Sequence, residues 1–320
     1  VRAQATLIEA LFSSGKLSEA VSYGEGCVGR ALDSLGPEHP ETLEAQNNLM
    51  IAYRRWGQIA KSVNLGERVV TGRSHVLGDL HPKTLQSKNN LGVAYWNAGD
   101  LAKAISLHKG VVENRRTLLG NQHHSTLESL SNLAVAYWQA GDIQKAIEVG
   151  EEAAKGRIRL WGSDHPRTLE ALHNLVSFYR DSGRFKEALR LAEYVVQKYT
   201  ERLGSKHPRT VNSQHVLSVC YRKSGQLPKA ISEAKTVIAA STEIQGADHS
   251  YMLAARCNLA ACYGELGYPV AVDLAKDVFQ SYNEVLGCEH PNTLRAGLVY
   301  IVCCRQLGEE KVIESLGADL

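Results

Sequence analysis

The sequence predicts an all-α solenoid of about seven and a half helix-turn-helix repeats. Two observations carry that expectation. A glycine recurs at Gly36, Gly78, Gly120, Gly162, Gly204 and Gly246, each 42 residues after the last. Between these glycines, apolar side chains fall at helical spacing in two blocks. The stretch HPKTLQSKNNLGVAYWNAGDLAKA at 81–104 returns as HHSTLESLSNLAVAYWQAGDIQKA at 123–146. The seventh glycine, Gly287, comes one residue early, and the loss is placed between Gly267 and Ala271, around Pro269.

The first helix of each repeat starts at His39, His81, His123, His165, His207, His249 or His290. Proline follows in five of these seven places, which suits a first helical position where a missing N–H costs nothing. The histidine before it is then the cap. The helix runs about 16 residues to Gly57, Gly99, Gly141, Gly183, Gly225 or Gly267, which supply the turn. A second helix follows, for example Leu101 to about Leu118.

Small residues recur where the two helices cross: Ala20, Ser62, Ala104, Ala146, Ala188, Ala230 and Ala271. Tyr53, Tyr95, Tyr137, Tyr179, Tyr221 and Tyr263 recur at another position and read as core. A helix pair of this kind cannot bury its apolar face alone, but stacked neighbours can. The chain is therefore expected to be one solenoid over 1–320, with a degenerate eighth repeat at 292–316, where Val299 and Cys304 replace the usual Asn and Tyr.

The net charge of +2 argues for neither a nucleic-acid nor a membrane partner. The longest apolar run, Ala296 to Cys304, is about half of the roughly 20 residues that span a bilayer. Seven cysteines without paired C-x-x-C motifs read as buried thiols in a reducing, cytoplasmic setting. The opening on Val1, with no signal peptide, reads as a piece of a longer protein.

The pattern N-L-x-x-x-Y-x-x-x-G-x-x-x-x-A after L-G-x-x-H-P-x-T-L resembles the tetratricopeptide repeat (TPR). It is similar to the 42-residue form of kinesin light chains, also found in arrays C-terminal to NB-ARC or NACHT signalling ATPases. The resemblance implies a right-handed superhelix, with first helices lining the concave wall and no chemistry of its own. It also implies an extended peptide or partner helix bound in the concavity.

Counting from Leu43, Leu85, Leu127 and Leu169 as position 1, positions 2, 5, 6, 9, 12 and 13 share one helical face. By resemblance this is the concave face. Position 6 is Asn48, Asn90, Asn132, Asn174 and Asn258, and position 5 includes Asn47, Asn89, Ser131, His173 and His215. Asparagine is a mediocre helix former, so its recurrence asks for a reason. Either these amides grip a peptide backbone, with Asn48, Asn89, Asn90, Asn132 and Asn174 as contacts, or they hold neighbouring repeats together. Position 12 adds Arg54, Trp96, Trp138, Arg180 and Arg222, and position 13 adds Arg55. Trp and Arg dominate interface hot spots, so the expected ligand is an extended acidic segment with an aromatic or apolar anchor. Some of these arginines could instead neutralise Glu44, Glu128, Glu170, Asp181 and Glu265 on the same wall.

No enzyme, metal or cofactor is expected. Repeated histidines lie one repeat apart and cannot converge on one ion. Gly15-Lys16 lacks the rest of a phosphate-binding loop. Three readings stand: an adaptor for acidic peptides, the ligand-sensing arm of a signalling ATPase, and a scaffold that self-associates end to end.

Overall fold

The computed structural model describes residues 6–8, 10–11, 14–243 and 249–309, with no side-chain description for His249 and Ser250. The first helix of the first repeat lies largely outside these residues, as does the end of the degenerate eighth repeat, 310–316. The described residues are all helical or turn, with no strand among them.

Among the described residues fourteen long helices follow in order. Seven are leading helices: α2 (Pro40–Arg55), α4 (Pro82–Asn97), α6 (His124–Gln139), α8 (Pro166–Asp181), α10 (Pro208–Lys223), α12 (His249–Glu265) and α14 (Pro291–Gln306). Seven are trailing helices: α1 (Leu17–Leu35), α3 (Ile59–Leu77), α5 (Leu101–Leu119), α7 (Ile143–Trp161), α9 (Phe185–Leu203), α11 (Leu227–Glu243) and α13 (Val270–Leu286). The array is an all-α solenoid of paired helices. Packing divides it into two compact units, 1–171 and 172–320, and the boundary falls within α8.

The helix ends follow the sequence. The Nδ1 atoms of His39, His81, His123, His165 and His207 each accept from the backbone N–H two residues on, at 3.2 Å, and that of His290 does so at 3.1 Å. Each histidine thus satisfies one of the amide donors that a helix start leaves open. The turn after α4 shows why glycine stands between the helices: Gly99 adopts φ 80°, where a Cβ is strained.

Inside each repeat, Ala20, Ser62, Ala104, Ala146, Ala188, Ala230 and Ala271 are fully buried, so the two helices approach closely. Ser62 keeps its hydroxyl satisfied by donating to the Met50 carbonyl at 2.9 Å. The recurrent tyrosines are not uniformly core. Only Tyr137 and Tyr221 are buried, and the others are half-buried. Tyr53 donates to Glu25 at 2.7 Å, Tyr95 to Glu67 at 2.5 Å and Tyr221 to Glu193 at 2.8 Å, each reaching the trailing helix of the repeat before. A cation covers several rings, as Lys103 does over Tyr95 at 5.1 Å. The ring is thus an amphipathic staple between repeats. Burial, then the bond to a carboxylate, pushes the Tyr53 and Tyr95 phenols up to about 12.

Neighbouring repeats fill one shared space in opposite ways. In the second repeat Met50 projects from the leading helix toward Gly66, where a methyl would meet the Met50 sulfur at 2.6 Å. In the third repeat the sizes are exchanged. Gly92 stands on the leading helix, and His108 fills the gap from the trailing helix. A methyl on Gly92 would lie 2.7 Å from the His108 ring. His108 is 1% exposed, and burial, then the nearby Arg115, lowers its pKa to about 4.

The exchange makes a testable double-mutant cycle. Gly92→Met alone is expected to destabilise by about 1–3 kcal/mol through overpacking. His108→Gly alone leaves a cavity and is expected to cost about 2–5 kcal/mol. Together they recreate the arrangement of the second repeat, so the combined loss should fall well below the sum. His108 is neutral when folded, so its contribution is complete above its ordinary value of 6.5 and is lost as pH falls toward about 4. The double variant should therefore also show a shallower acid limb. Denaturant unfolding measured from pH 7 to 4 checks both points, and additive losses would show that the two positions do not share one space.

Candidate functional site

The wall of interest is the side of the leading helices that faces away from the trailing ones. Within 1–171, α2 approaches α4 and α4 approaches α6 to within 8 Å, Cα to Cα. Within 172–320, α10 and α12 do the same, as do α12 and α14. Among the described residues no two trailing helices of one unit come so close. Arg116 on α5 bridges the wider outer gap to Glu152 on α7 at 2.7 Å. Each unit therefore bends with its leading helices on the inner, concave side.

Within 1–171 the repeats are joined beneath this wall by buried arginines. Arg73 on α3 is 1% exposed. Its Nη1 donates to Ser87 Oγ at 2.7 Å and to the Lys83 carbonyl at 2.9 Å, and its Nη2 donates to Glu44 Oε2 at 2.9 Å. Ser87 Oγ donates on to Asn47 Oδ1 at 3.0 Å, and Asn90 Nδ2 donates to the same oxygen at 3.3 Å. One repeat later Arg115 bonds Ser129 at 2.7 Å, the Ser125 carbonyl at 2.8 Å and Gln86 at 3.0 Å. Ser129 and Asn132 both donate to Asn89 Oδ1 at 3.2 Å. Arg157 keeps the bond to the Arg167 carbonyl, but Ala171 stands where the serine would be. Burial pulls the pKa of each of these guanidinium groups down, and for Arg73 the bonded Glu44 opposes that pull.

This network corrects part of the sequence reading. Asn89 is 2% exposed and accepts two bonds inside the stack, so it cannot meet a ligand. Asn47 is buried in the same way. Asn90 and Asn132 are half-buried, and each gives one N–H to the preceding repeat. Asn90 also accepts from Gln86 at 3.3 Å. Asn48 and Asn174 are half-buried and unengaged among the described residues. In the second and third repeats the position-5 asparagine turns into the neighbouring leading helix and the position-6 asparagine is half-buried on the wall, whereas Asn258, at position 6 in the second unit, is 5% exposed and donates to Ser218 Oγ. Within 172–320 His173 takes the place of the buried asparagine. It meets Ser213 Oγ at 3.2 Å and Asn212 Nδ2 at 3.3 Å, and burial followed by Arg180 lowers its pKa to about 4.

The cations also divide. Arg180 is held by Asp181 at 2.7 and 3.0 Å. Arg222 donates to Asn258 and to Glu265, both at 2.7 Å. These two are compensated on the wall itself. Glu44 is compensated from beneath by Arg73 and from the side by Lys83 at 3.0 Å. Arg55 is exposed beside Arg54. Arg54 is half-buried and has no carboxylate partner among the described residues. Desolvation first, then Arg55, lowers its pKa. Trp96 and Trp138 are half-buried on the same face, and the Trp96 indole Nε1 is buried without an acceptor.

Sequence reasoning missed Arg73, Arg115 and Arg157. Their signal was present: three arginines 42 residues apart, the first two with a serine 14 residues on. Among the described residues no group of three His, Cys, Asp or Glu side chains could hold a metal ion, and no helix is long and apolar enough to cross a membrane.

Loss of the buried acceptor should separate the two asparagine positions. Asn89→Ala strands the Ser129 hydroxyl and the Asn132 amide and is expected to cost about 1–3 kcal/mol. Asn48→Ala breaks no bond and is expected to change stability by less than about 0.5 kcal/mol. Thermal unfolding of the two variants compares them, and equal losses would show that position 6 is also structural.

With this geometry established, similarity to known proteins becomes informative. The tetratricopeptide-repeat family model matches residues 83–159 and 167–240. The chain is 33% identical to a solved Podosopora anserina protein described as a kinesin light chain with nearly identical TPR-like repeats. That likeness covers 65% of this chain and 98% of the other, with a TM-score of 0.57. The apo form of RapI is 13% identical over 98% of this chain and 84% of its own, with a TM-score of 0.67, a likeness of fold. A STAND signalling ATPase with a tetratricopeptide-repeat sensor, from Pyrococcus horikoshii, is 15% identical. It covers 98% of this chain and 43% of its own, with a TM-score of 0.62, again a likeness of fold. No curated protein matches the chain. The helix pairs, the 42-residue period and the identity to the solved repeats together place the chain in the tetratricopeptide-repeat family, in its kinesin-light-chain-like form, as a non-catalytic interaction module.

Proposed function

We propose that the leading-helix wall binds an extended, acidic protein segment with an aromatic or apolar anchor. The carrying observation is the state of the wall within 1–171. Glu44 and Glu128 at position 2 face the buried Arg73 and Arg115, while Arg54 has no carboxylate partner among the described residues and the same face carries half-buried tryptophans one and two repeats on. A partner carboxylate at Arg54 offsets a charge that the fold leaves unpaired. A partner side chain against Trp96 and Trp138 removes apolar ring surface from water, and a partner carbonyl can satisfy the Trp96 N–H. Asn48, and the remaining N–H groups of Asn90 and Asn132, suit the backbone of an extended chain.

Six of the seven cysteines are buried as free thiols, which supports a reducing, cytoplasmic setting.

An array of 12-residue peptides of varied charge, probed with the full chain, tests the reading. Acidic peptides with one aromatic residue are expected to bind most tightly. Arg54→Glu and Trp138→Ala should each weaken the best hit by roughly ten- to thirty-fold. Arg159→Glu, exposed on trailing helix α7, should leave it unchanged. Preferred binding of basic or uncharged peptides, or equal loss with Arg159→Glu, would overturn the proposal.

A further inference from the structure

Within 172–320 the inner wall holds a cavity of 380 Å³ between α10, α12 and α14. Its body is apolar, with Val219, Ala254, Ala261 and Val299 among its lining residues. Its rim carries two guanidinium groups, Arg222 and Arg295, and among the described residues no carboxylate lines it. Arg222 is engaged by Asn258 and by Glu265. Arg295 is exposed and has no hydrogen-bond or ion-pair partner among the described residues.

The repeat frame shows how unusual Arg295 is. Position 2 reads Glu44, Gln86, Glu128, Glu170, Asn212 and Ala254 before it reaches Arg295. The frame also shows what lies beneath. The trailing-helix position that holds Arg73, Arg115 and Arg157 becomes Tyr199, Ser241 and then Tyr282, which lines this cavity. In 1–171 the cation is buried behind the wall and the carboxylate or amide is in front. Here the cation is in front and the buried arginine is gone. His215 also lines the cavity, and its Nδ1 is buried without a partner. Burial, with Arg180, Arg295 and His173 adding, lowers the His215 pKa to about 4, so the ring stays neutral near pH 7 and compensates nothing.

We infer that this cavity is a binding site for an apolar carboxylate: a hydrocarbon or aromatic body in the slot, its carboxylate on Arg295. An arginine fork matches a carboxylate in charge and geometry. A slot of this size takes one aromatic side chain or small organic acid, within the range of ordinary ligand pockets. Two sources share that chemistry, the C-terminal residue of a partner chain and a free small acid. The site deepens the reading of the wall, although its residues are all in the C-terminal unit and distinct from Arg54, Trp96 and Trp138.

The test uses the full chain and three probes: 3-phenylpropionate, its neutral amide, and a short alanine-rich peptide ending in phenylalanine with a free carboxylate. Binding is read by calorimetry and by chemical shifts of the chain. The acid is expected to bind at least tenfold more tightly than the amide. Arg295→Gln, at an exposed position, should remove that preference without changing the melting temperature. Ala261→Leu should block all three probes by filling the slot. If the peptide exceeds 3-phenylpropionate in affinity, the source is a chain terminus, and if it fails while the acid binds, the source is a free acid. Equal binding of acid and amide, or retention of the preference in Arg295→Gln, would overturn the inference. Loss of this site with the acidic-peptide binding at Arg54 intact would refute the inference alone and leave the wall reading standing.

Discussion

The structure depends on one constraint: a pair of short amphipathic helices cannot bury both of its apolar sides without another pair beside it. Each repeat therefore has an inner seam that joins its two helices and two outer faces that its neighbours must cover. The inner seam is set by alanine or serine at the crossing, with no exposed surface at that position in the seven described trailing helices. The outer faces are set by polar contacts as well as apolar ones. Arg73 and Arg115 each reach across a repeat boundary to a serine and to the preceding leading helix. A buried cation is costly, and such a link holds only in a register that gives every N–H group near a partner the correct geometry. The links therefore help fix how one repeat sits on the next.

That arrangement decides what the wall can offer. At position 2, Glu44 is held by Arg73 beneath it at 2.9 Å and Glu128 lies 3.8 Å from Arg115. Asparagines at position 5 are taken up by the seams. Among the described residues, groups left with unmet chemistry on the leading-helix wall include Arg54, the indole N–H of Trp96 and the amide of Asn48 in 1–171, and the amide of Asn174 and Arg295 in 172–320. Packing has satisfied the asparagines at position 5. Asn48 and Asn174 are repeated letters that stay open, and Arg295 is a departure from the repeat that does so too.

Much of the fold was legible in the sequence because its determinants are local. A glycine turn, a histidine cap and a small crossing residue each act within a few residues of their own position, and 42-residue repetition makes them visible. Polar determinants were harder to read because they act across repeats. Asn47 and Asn48 are adjacent and lie about 100° apart on the helix. That rotation turns one into the neighbouring helix and the other toward the hollow, a division the sequence alone does not reveal. Arg73, Arg115 and Arg157 sit in helices rich in charge, and each is nearly sealed. The tyrosines read as core because their ring half is core. The hydroxyls of Tyr53, Tyr95 and Tyr221 reach the carboxylates of Glu25, Glu67 and Glu193 on the repeat before, a bond made across repeats.

The claim at the centre is that partners meet the side of the leading helices opposite the trailing ones. Photo-crosslinking from a bound acidic peptide, with the reactive group moved along its length and the adducts mapped by mass spectrometry, addresses that claim most directly. Adducts are expected on Arg54, Trp96, Trp138 and their inner-wall neighbours, advancing from one leading helix to the next as the group moves. Adducts confined to exposed residues of the trailing helices, such as Glu113 and Arg159, would contradict it.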